Sequence, residues 1–380
     1  MTSVTPGPPA RLRSASVSPG SVRPVRTRIL RGRRRWAAVG PVWSRLAAEV
    51  PARSHLQSPE WACALTEEFH TDEARWLVVE DDDGPLAVLP FKLGERRFGP
   101  LRVRVLSSER LTDGLVHPRL QPADLRRELQ AAARGDGEPV DVLSLNGVRP
   151  GSAFAALAAG SSAGLETEAD GGYSVVETDV GSDEWEARAS RNLKAGLRKA
   201  RNRFARRGEM TVTTATAPDE VATAFDEFVA IEASGWKAGS GALASQPIQY
   251  AVLRHFMLAS ARAGAGRVAV RTLRLDGRPA AAQLVALTAG TLTLLKVAYH
   301  DALSDLSPSN LLMADLVRTC CERGDVDRID LVTSQPWHDR WHAVRHPTYR
   351  VRDVNLRRPG GLVSRVGLAA EGLRARLPGG

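Results

Sequence analysis

The chain has 380 residues, 43% of them apolar, with 52 basic and 43 acidic side chains and a formal charge of +9. That length buries more than one modest core, and because residues 1–35 hold nine arginines and no acid, the rest is charge-balanced. Three scattered cysteines, Cys63, Cys320 and Cys321, exclude a disulfide framework and a paired-cysteine metal motif and point to a reducing, cytoplasmic setting.

Residues 1–35 mix Pro, Ser, Gly and Arg without apolar periodicity and are expected to be a disordered tail. Such a cationic tail attracts nucleic acid or anionic lipid, or is a leader without function. No apolar segment follows the arginines, so a secretory signal is not expected. The longest uncharged stretch, 279–295, is too short for a membrane span and is interrupted by Thr288-Ala289-Gly290-Thr291.

Residues 36–176 read as a first α/β unit. Ser58-Pro59 followed by Trp61, Leu65 and Phe69 marks a helix start. Trp76–Glu80 and Pro85–Pro90 flank the acidic turn Asp81–Gly84, a hairpin signal. Strands are also expected at Leu101–Ser107 and Val140–Leu145, with a helix at Ala123–Arg134 between them.

Residues 177–357 read as a second unit, opening on one long helix, Trp185–Arg207, and a strand near Met210–Thr214. Helices at 218–233 and 247–263 precede a meander of Arg267–Leu275, Pro279–Leu287 and Thr291–Tyr299, turned at Asp276-Gly277 and Gly290. A helix at 308–323 and strands at Ile329–Thr333 and Tyr349–Asn355 complete it. Residues 358–380 form a tail, either a short surface helix or frayed chain.

Four groups of residues could carry chemistry. Ser307 can cap the 308 helix and Pro308 pre-sets its first turn, so the backbone N–H groups near Ser309 and Asn310 suit a phosphate as well as an ordinary capped helix. Glu232 ends an apolar stripe of Val221, Phe225 and Phe228; there a partly buried carboxylate could serve as a general base, or pair with Lys237. Nine basic residues between Arg188 and Arg207 surround Leu193, Leu197, Ala200 and Phe204, giving a solvated face or a contact for polyphosphate, nucleic acid or an acidic acceptor. His338, His342 and His346 resemble a zinc helix, but Asp339 stands where a metalloprotease needs Glu, so no metal is expected. Cys320 and Cys321 read as core thiols.

The segment Ser190–Lys199, the Glu232-Ala-Ser-Gly-Trp-Lys237 box, Asp276–Ala281, Lys296-Val-Ala-Tyr-His-Asp301 leading to Ser307-Pro308, and the aromatic turn Trp337–Trp341 together resemble the CelD/BcsL-type acetyltransferases of the GNAT superfamily, related to the FemABX peptidyltransferases. The resemblance covers roughly residues 36–356. It departs from the family at Ser309, where Gly is usual, and at His338, where Lys is usual.

The resemblance implies an α/β (α+β) fold of two tandem GNAT-like units, each a mixed, mainly antiparallel sheet with flanking helices, the second being catalytic. It implies acyl transfer from acetyl-CoA or another acyl-CoA to an amine or hydroxyl of a small metabolite or a cell-envelope polysaccharide precursor. Glu232 or His338 would act as base, the strand from Lys296 to Tyr299 would supply donors to the thioester oxygen, and Ser307, Ser309 and Asn310, with Trp236 and Lys237, would hold the cosubstrate. Two alternatives remain: a FemABX-like transferase using aminoacyl-tRNA, and a polysaccharide-biosynthesis accessory protein without catalysis.

Overall fold

A computed structural model describes residues 25–32, 36–68, 73–98, 100–135, 139–159, 165–234, 242–264, 266–355 and 357–364. In chain order the elements are β1 (Arg26–Arg31), α1 (Trp36–Glu49), α2 (Pro59–Glu68), β2 (Ala74–Glu80), β3 (Pro85–Phe98), β4 (Leu101–Ser107), β5 (Leu115–Val116), α3 (Pro122–Gly135), β6 (Val142–Val148), α4 (Ala153–Ala159) and β7 (Leu165–Glu177). There follow α5 (Ser182–Arg188), α6 (Arg191–Arg207), β8 (Met210–Ala215), α7 (Pro218–Ala233), α8 (Pro247–Ala263), β9 (Val268–Leu275), β10 (Arg278–Thr288), β11 (Thr291–Tyr299), α9 (Pro308–Arg323), β12 (Arg328–Asp330) and β13 (Val344–Val354).

The order is a repeat. β1-α1-α2-β2-β3-β4-α3-β6 recurs as β8-α7-α8-β9-β10-β11-α9-β12, and in both copies a three-strand antiparallel meander ends beside a parallel strand, β4 with β6 and β11 with β12. The last strands are exchanged: the sheet runs β1-β2-β3-β4-β6-β13-β7-β12-β11-β10-β9-β8, so β7 pairs with β12 of the second unit while β13 reaches back to β6 of the first. One mixed, mainly antiparallel sheet therefore spans both units.

Helices cover both faces. In the second unit α7 and α8 bury Phe225, Phe228, Phe256 and Met257 against Val270, Leu284 and Ala298 on one face. On the other, α9 buries Leu316, Val317 and Cys320 against Val285, Leu292 and Leu294, and Phe204 of α6 packs with Leu311 and Leu312. Both meander turns are built as the sequence asks: Asp276 and Gly277 take φ of 48° and 74°, Ala289 and Gly290 46° and 74°, the left-handed pair that joins twisted strands in two residues.

Four expectations need correction. The 1–35 segment is not wholly without structure, because Arg26–Arg31 forms β1 along β2, the counterpart of β8 in the repeat; residues 1–24 lie outside the described residues. The 185–207 helix is two helices, since Ala189 and Ser190 are extended (ψ 135° and 149°) and the Ser190 hydroxyl accepts the Leu193 N–H at 3.1 Å, restarting the chain as α6. Strand β12 ends at Asp330, short of Thr333, and Val332 turns with a positive φ of 64°. Strand β13 begins at Val344, ahead of Tyr349, and Pro347 is accommodated at a register shift against β7. No helix among the described residues is long and apolar enough to cross a membrane.

Candidate active site

Strand β11 keeps its antiparallel partner β10 along its whole length, but β12 pairs with it only from Thr291 to Thr293. Beyond Thr293 the two strands part, and the β12 side of β11 is left without a ladder partner among the described residues. A bulge coincides with this point. Leu294 lies opposite Val285 and Lys296 opposite Leu284, so Leu295 is one residue too many. A bulge sets successive side chains on the same face. Leu295 accordingly packs into the α7/α8 core and Lys296 reaches α7, whereas strict alternation would have sent Lys296 to the α9 face with Leu292 and Leu294.

Where the strands part, a cleft of about 350 Å³ opens on the α9 side, lined by Glu232, Gln283, Tyr299, the Ser307–Asn310 helix start, Trp337 and Arg340. Ser307 does not cap with its hydroxyl; it takes the left-handed conformation (φ 53°, ψ 50°) and its carbonyl accepts the N–H groups of Asn310 and Leu311 at 3.1 and 3.3 Å. Pro308 has no N–H to give. The exposed Arg340 extends Nη1 to within 3.4 Å of Asn310 Oδ1, adding a full cation to the partial positive charge of the helix end. At the cleft floor Gln283 is fully buried; its Oε1 accepts from Arg271, which pairs with Asp315 at 2.6 Å, and its Nε2 has no partner. A buried unpaired donor of this kind suits a ligand oxygen. Sequence reasoning passed over both Arg340, inside the aromatic turn Trp337–Trp341, and Gln283, in an apolar strand.

Glu232 is 2% exposed at the end of α7. Its Oε2 accepts the Leu243 N–H at 2.7 Å and its Oε1 meets Lys296 Nζ at 2.9 Å. Trp236 and Lys237 lie outside the described residues. Glu232 and Tyr299 both line the cleft, and Lys296, turned by the bulge onto the α7-facing side of β11, meets Glu232 there.

His338 is not brought to the cleft: its ring is buried in the turn, Nδ1 accepts the Gln335 N–H at 3.3 Å, and burial together with the Arg345 cation lowers its pKa. Its neighbours Trp337, Arg340 and Trp341 line the cleft instead. The three histidines serve separate ends, His342 taking a left-handed φ of 57° and His346 stacking on Tyr173 at 5.1 Å. Cys320 is a core thiol pushed up to about 12 by burial. Among the described residues, the potential ligand atoms of Cys63, Glu67 and His255 do gather within 4.8 Å, and burial and Glu67 push that thiol up to about 12 as well.

On the other face of β11, between the two units, lies a second cavity of about 420 Å³ that Lys296 lines. The Glu232–Lys296 ion pair thus stands between the two spaces, its acid facing one and its base the other.

Residues 191–341 match the family model described as Acetyltransferase (GNAT) domain. No curated protein sequence matches the chain. Among solved structures, FemX aligns at 13% identity over 83% of this chain and 96% of its own, with a TM-score of 0.56. The C-terminal (DUF2156) domain of a protein assigned as a lysylphosphatidylglycerol synthetase from Agrobacterium fabrum aligns at 15% identity over 87% and 95%, with a TM-score of 0.54. A tandem GNAT protein from the clavulanic acid biosynthesis pathway aligns at 15% over 86% and 98%, with a TM-score of 0.44. At such identities the likeness to the first two is one of fold. Over residues 191–341 the chain is similar to a GNAT acetyltransferase domain.

Proposed function

We propose that the protein transfers an acyl group from an acyl-CoA to an amine or hydroxyl, with the donor in the cleft between β11 and β12 and the acceptor arriving from the other face of β11. The observation that carries this is the Glu232–Lys296 pair at the junction of the two spaces. The cosubstrate supplies an activated thioester. Arg340, Ser309, Asn310 and the α9 N-terminus hold its pyrophosphate, and unpaired backbone groups of β11 past the bulge hydrogen-bond the thioester oxygen. Glu232 takes the acceptor's proton as its nitrogen or oxygen bonds to the acyl carbon. Tyr299, in the same cleft, gives a proton to the departing thiolate. Lys296 fixes the carboxylate and holds its charge while the proton moves.

Glu232→Gln keeps the shape of α7 and should lower turnover by roughly 100-fold or more, with acetyl-CoA affinity close to that of the unmodified protein. His338→Ala is the comparison: it should act through stability. Loss of turnover in His338→Ala with a mild effect in Glu232→Gln would reassign the base.

A second reading has its own support. On α6, Arg191, Lys194, Arg198, Lys199, Arg201, Arg206 and Arg207 are all exposed, and Arg203 donates to the Asp305 carbonyl in the turn before α9. A cationic helix beside the donor cleft suits the polyanionic backbone of an aminoacyl-tRNA donor. Salt-sensitive stabilisation by bulk tRNA with none by acetyl-CoA would favour it.

A further inference from the structure

The cavity between the units differs in chemistry from the cleft. Its walls come from both halves of the chain: Trp61 and Leu65 of α2, Phe91 of β3, Leu253 of α8, and Leu295 of the bulge. Glu109, Arg110 and Leu111, all exposed, border it and mark where it opens to solvent. At 420 Å³ it falls within the range of small-molecule sites, roughly 300–1,000 Å³.

Of the buried side-chain polar atoms on its lining residues, two lack a partner, His55 Nδ1 and Trp76 Nε1. Asp113 lines the wall, but its oxygens accept from Gln57 Nε2 and from the Gly114 and Ala153 N–H groups. His55 lines it too, 6% exposed and edge-on to Trp61, and its Nδ1 has no partner. Burial pushes His55 down to about 3, so the ring is neutral and adds no charge to the wall. Lys296 supplies the one polar group with a defined task, beside the proposed base.

A sugar placed here would strand several hydroxyls against apolar walls without partners, a penalty of the kind that excludes polar ligands from such sites. We infer that the acceptor has an apolar body, an aromatic ring or alkyl chain, lying in this cavity, with its reacting amine or hydroxyl at the Lys296 end. The inference rests on the acyl-transfer reading above and narrows its acceptor, setting aside the bare sugar precursor that the family resemblance allows. The bulge serves it twice, since the extra residue Leu295 adds apolar wall and turns Lys296 onto the cavity face.

The test uses the full chain and two probe amines, 2-phenylethylamine and glucosamine. Indole fluorescence follows binding, since Trp61 and Trp76 line the cavity, and thiol release from acetyl-CoA follows turnover. 2-Phenylethylamine should bind roughly tenfold or more tightly than glucosamine and be the better acceptor. Leu253→Asn should weaken its binding while acetyl-CoA affinity stays unchanged. Because Leu253 is buried, Leu111→Ser is the second variant; its side chain is 46% exposed, so folding is not at stake. Equal or reversed preference, binding of neither amine, or indifference to both variants overturns the apolar acceptor and leaves the donor assignment standing. Failure to bind acetyl-CoA overturns the donor assignment itself, and the inference with it.

Discussion

The Glu232 carboxylate and the Lys296 ammonium meet at 2.9 Å because strand β11 carries one residue more than its partner. The pair is nearly enclosed, with the two side chains 1% and 18% exposed. Removing Lys296 strands the enclosed carboxylate, which typically costs about 3–5 kcal/mol, whereas Glu232→Gln leaves a partly exposed ammonium beside an amide oxygen and costs less, and removing both charges costs little. Lys296→Met should therefore destabilise by about that amount, and the double variant Glu232→Gln/Lys296→Met should recover much of the loss. Urea unfolding of the four proteins checks it; simple additivity would contradict a coupled pair.

The donor site should separate from stability. Arg340→Ala and Asn310→Asp alter an exposed and a half-buried side chain at the cleft mouth, where substitutions usually stay within about 0.5 kcal/mol of neutral. Both should weaken acetyl-CoA binding in calorimetry while leaving the thermal midpoint nearly unchanged. Asp at position 310 adds negative charge where pyrophosphate is expected, although it suits the helix dipole.

Removing residues 1–24 should leave stability intact, but extending the cut through Arg31 should not. Strand β1 packs Ile29 and Leu30 into the two cores of the first unit, and Thr27 donates to Glu128 at 2.7 Å. The longer deletion should cost about 2 kcal/mol or more from partly buried apolar side chains. Denaturation midpoints of the two truncated proteins distinguish the cases.

Residues 177–357 alone should not unfold cooperatively. Without the first unit β12 loses β7, and β13 loses both β6 and β7. Near-ultraviolet dichroism of that fragment should show no fixed aromatic packing. A sharp unfolding transition would show that the exchanged strands are dispensable.

His55 and Asp113 should oppose each other in pH dependence. Burial drives His55 from 6.5 to about 3 in the folded chain, so its contribution is present above pH 6.5 and is lost as pH falls. Burial drives Asp113 from 3.8 to about 7, so its contribution is present below pH 3.8 and is lost as pH rises. Between about pH 4 and 6.5 the slopes offset. His55→Phe should make stability fall with rising pH, and Asp113→Asn should make it rise, each by up to about 1.4 kcal/mol per pH unit. Urea midpoints at three pH values within that window are the measurement.

What this chain's sequence determined by itself is its local structure. Proline at the first helical position places α7, α8 and α9 at the expected residues, and the Asp276-Gly277 and Ala289-Gly290 turns enforce the meander. These signals act within a few residues of where they stand, through capping, φ preference and apolar period. Glu232 was legible for the same reason, as a carboxylate on an apolar helix face. The tertiary structure decided the rest. A period-two pattern does not name a strand's partner, so neither the exchange of β7 and β13 nor the place of Arg26–Arg31 at the sheet edge could be read. The bulge at Leu295 exists only relative to β10, and it turns Lys296 toward Glu232. Arg340 and Gln283 reach the cleft through chain folding alone, as His338, two residues from Arg340, is carried into the core. Long-range pairing is settled by which faces pack and which backbone groups find partners, and those terms appear only when the whole sheet is assembled.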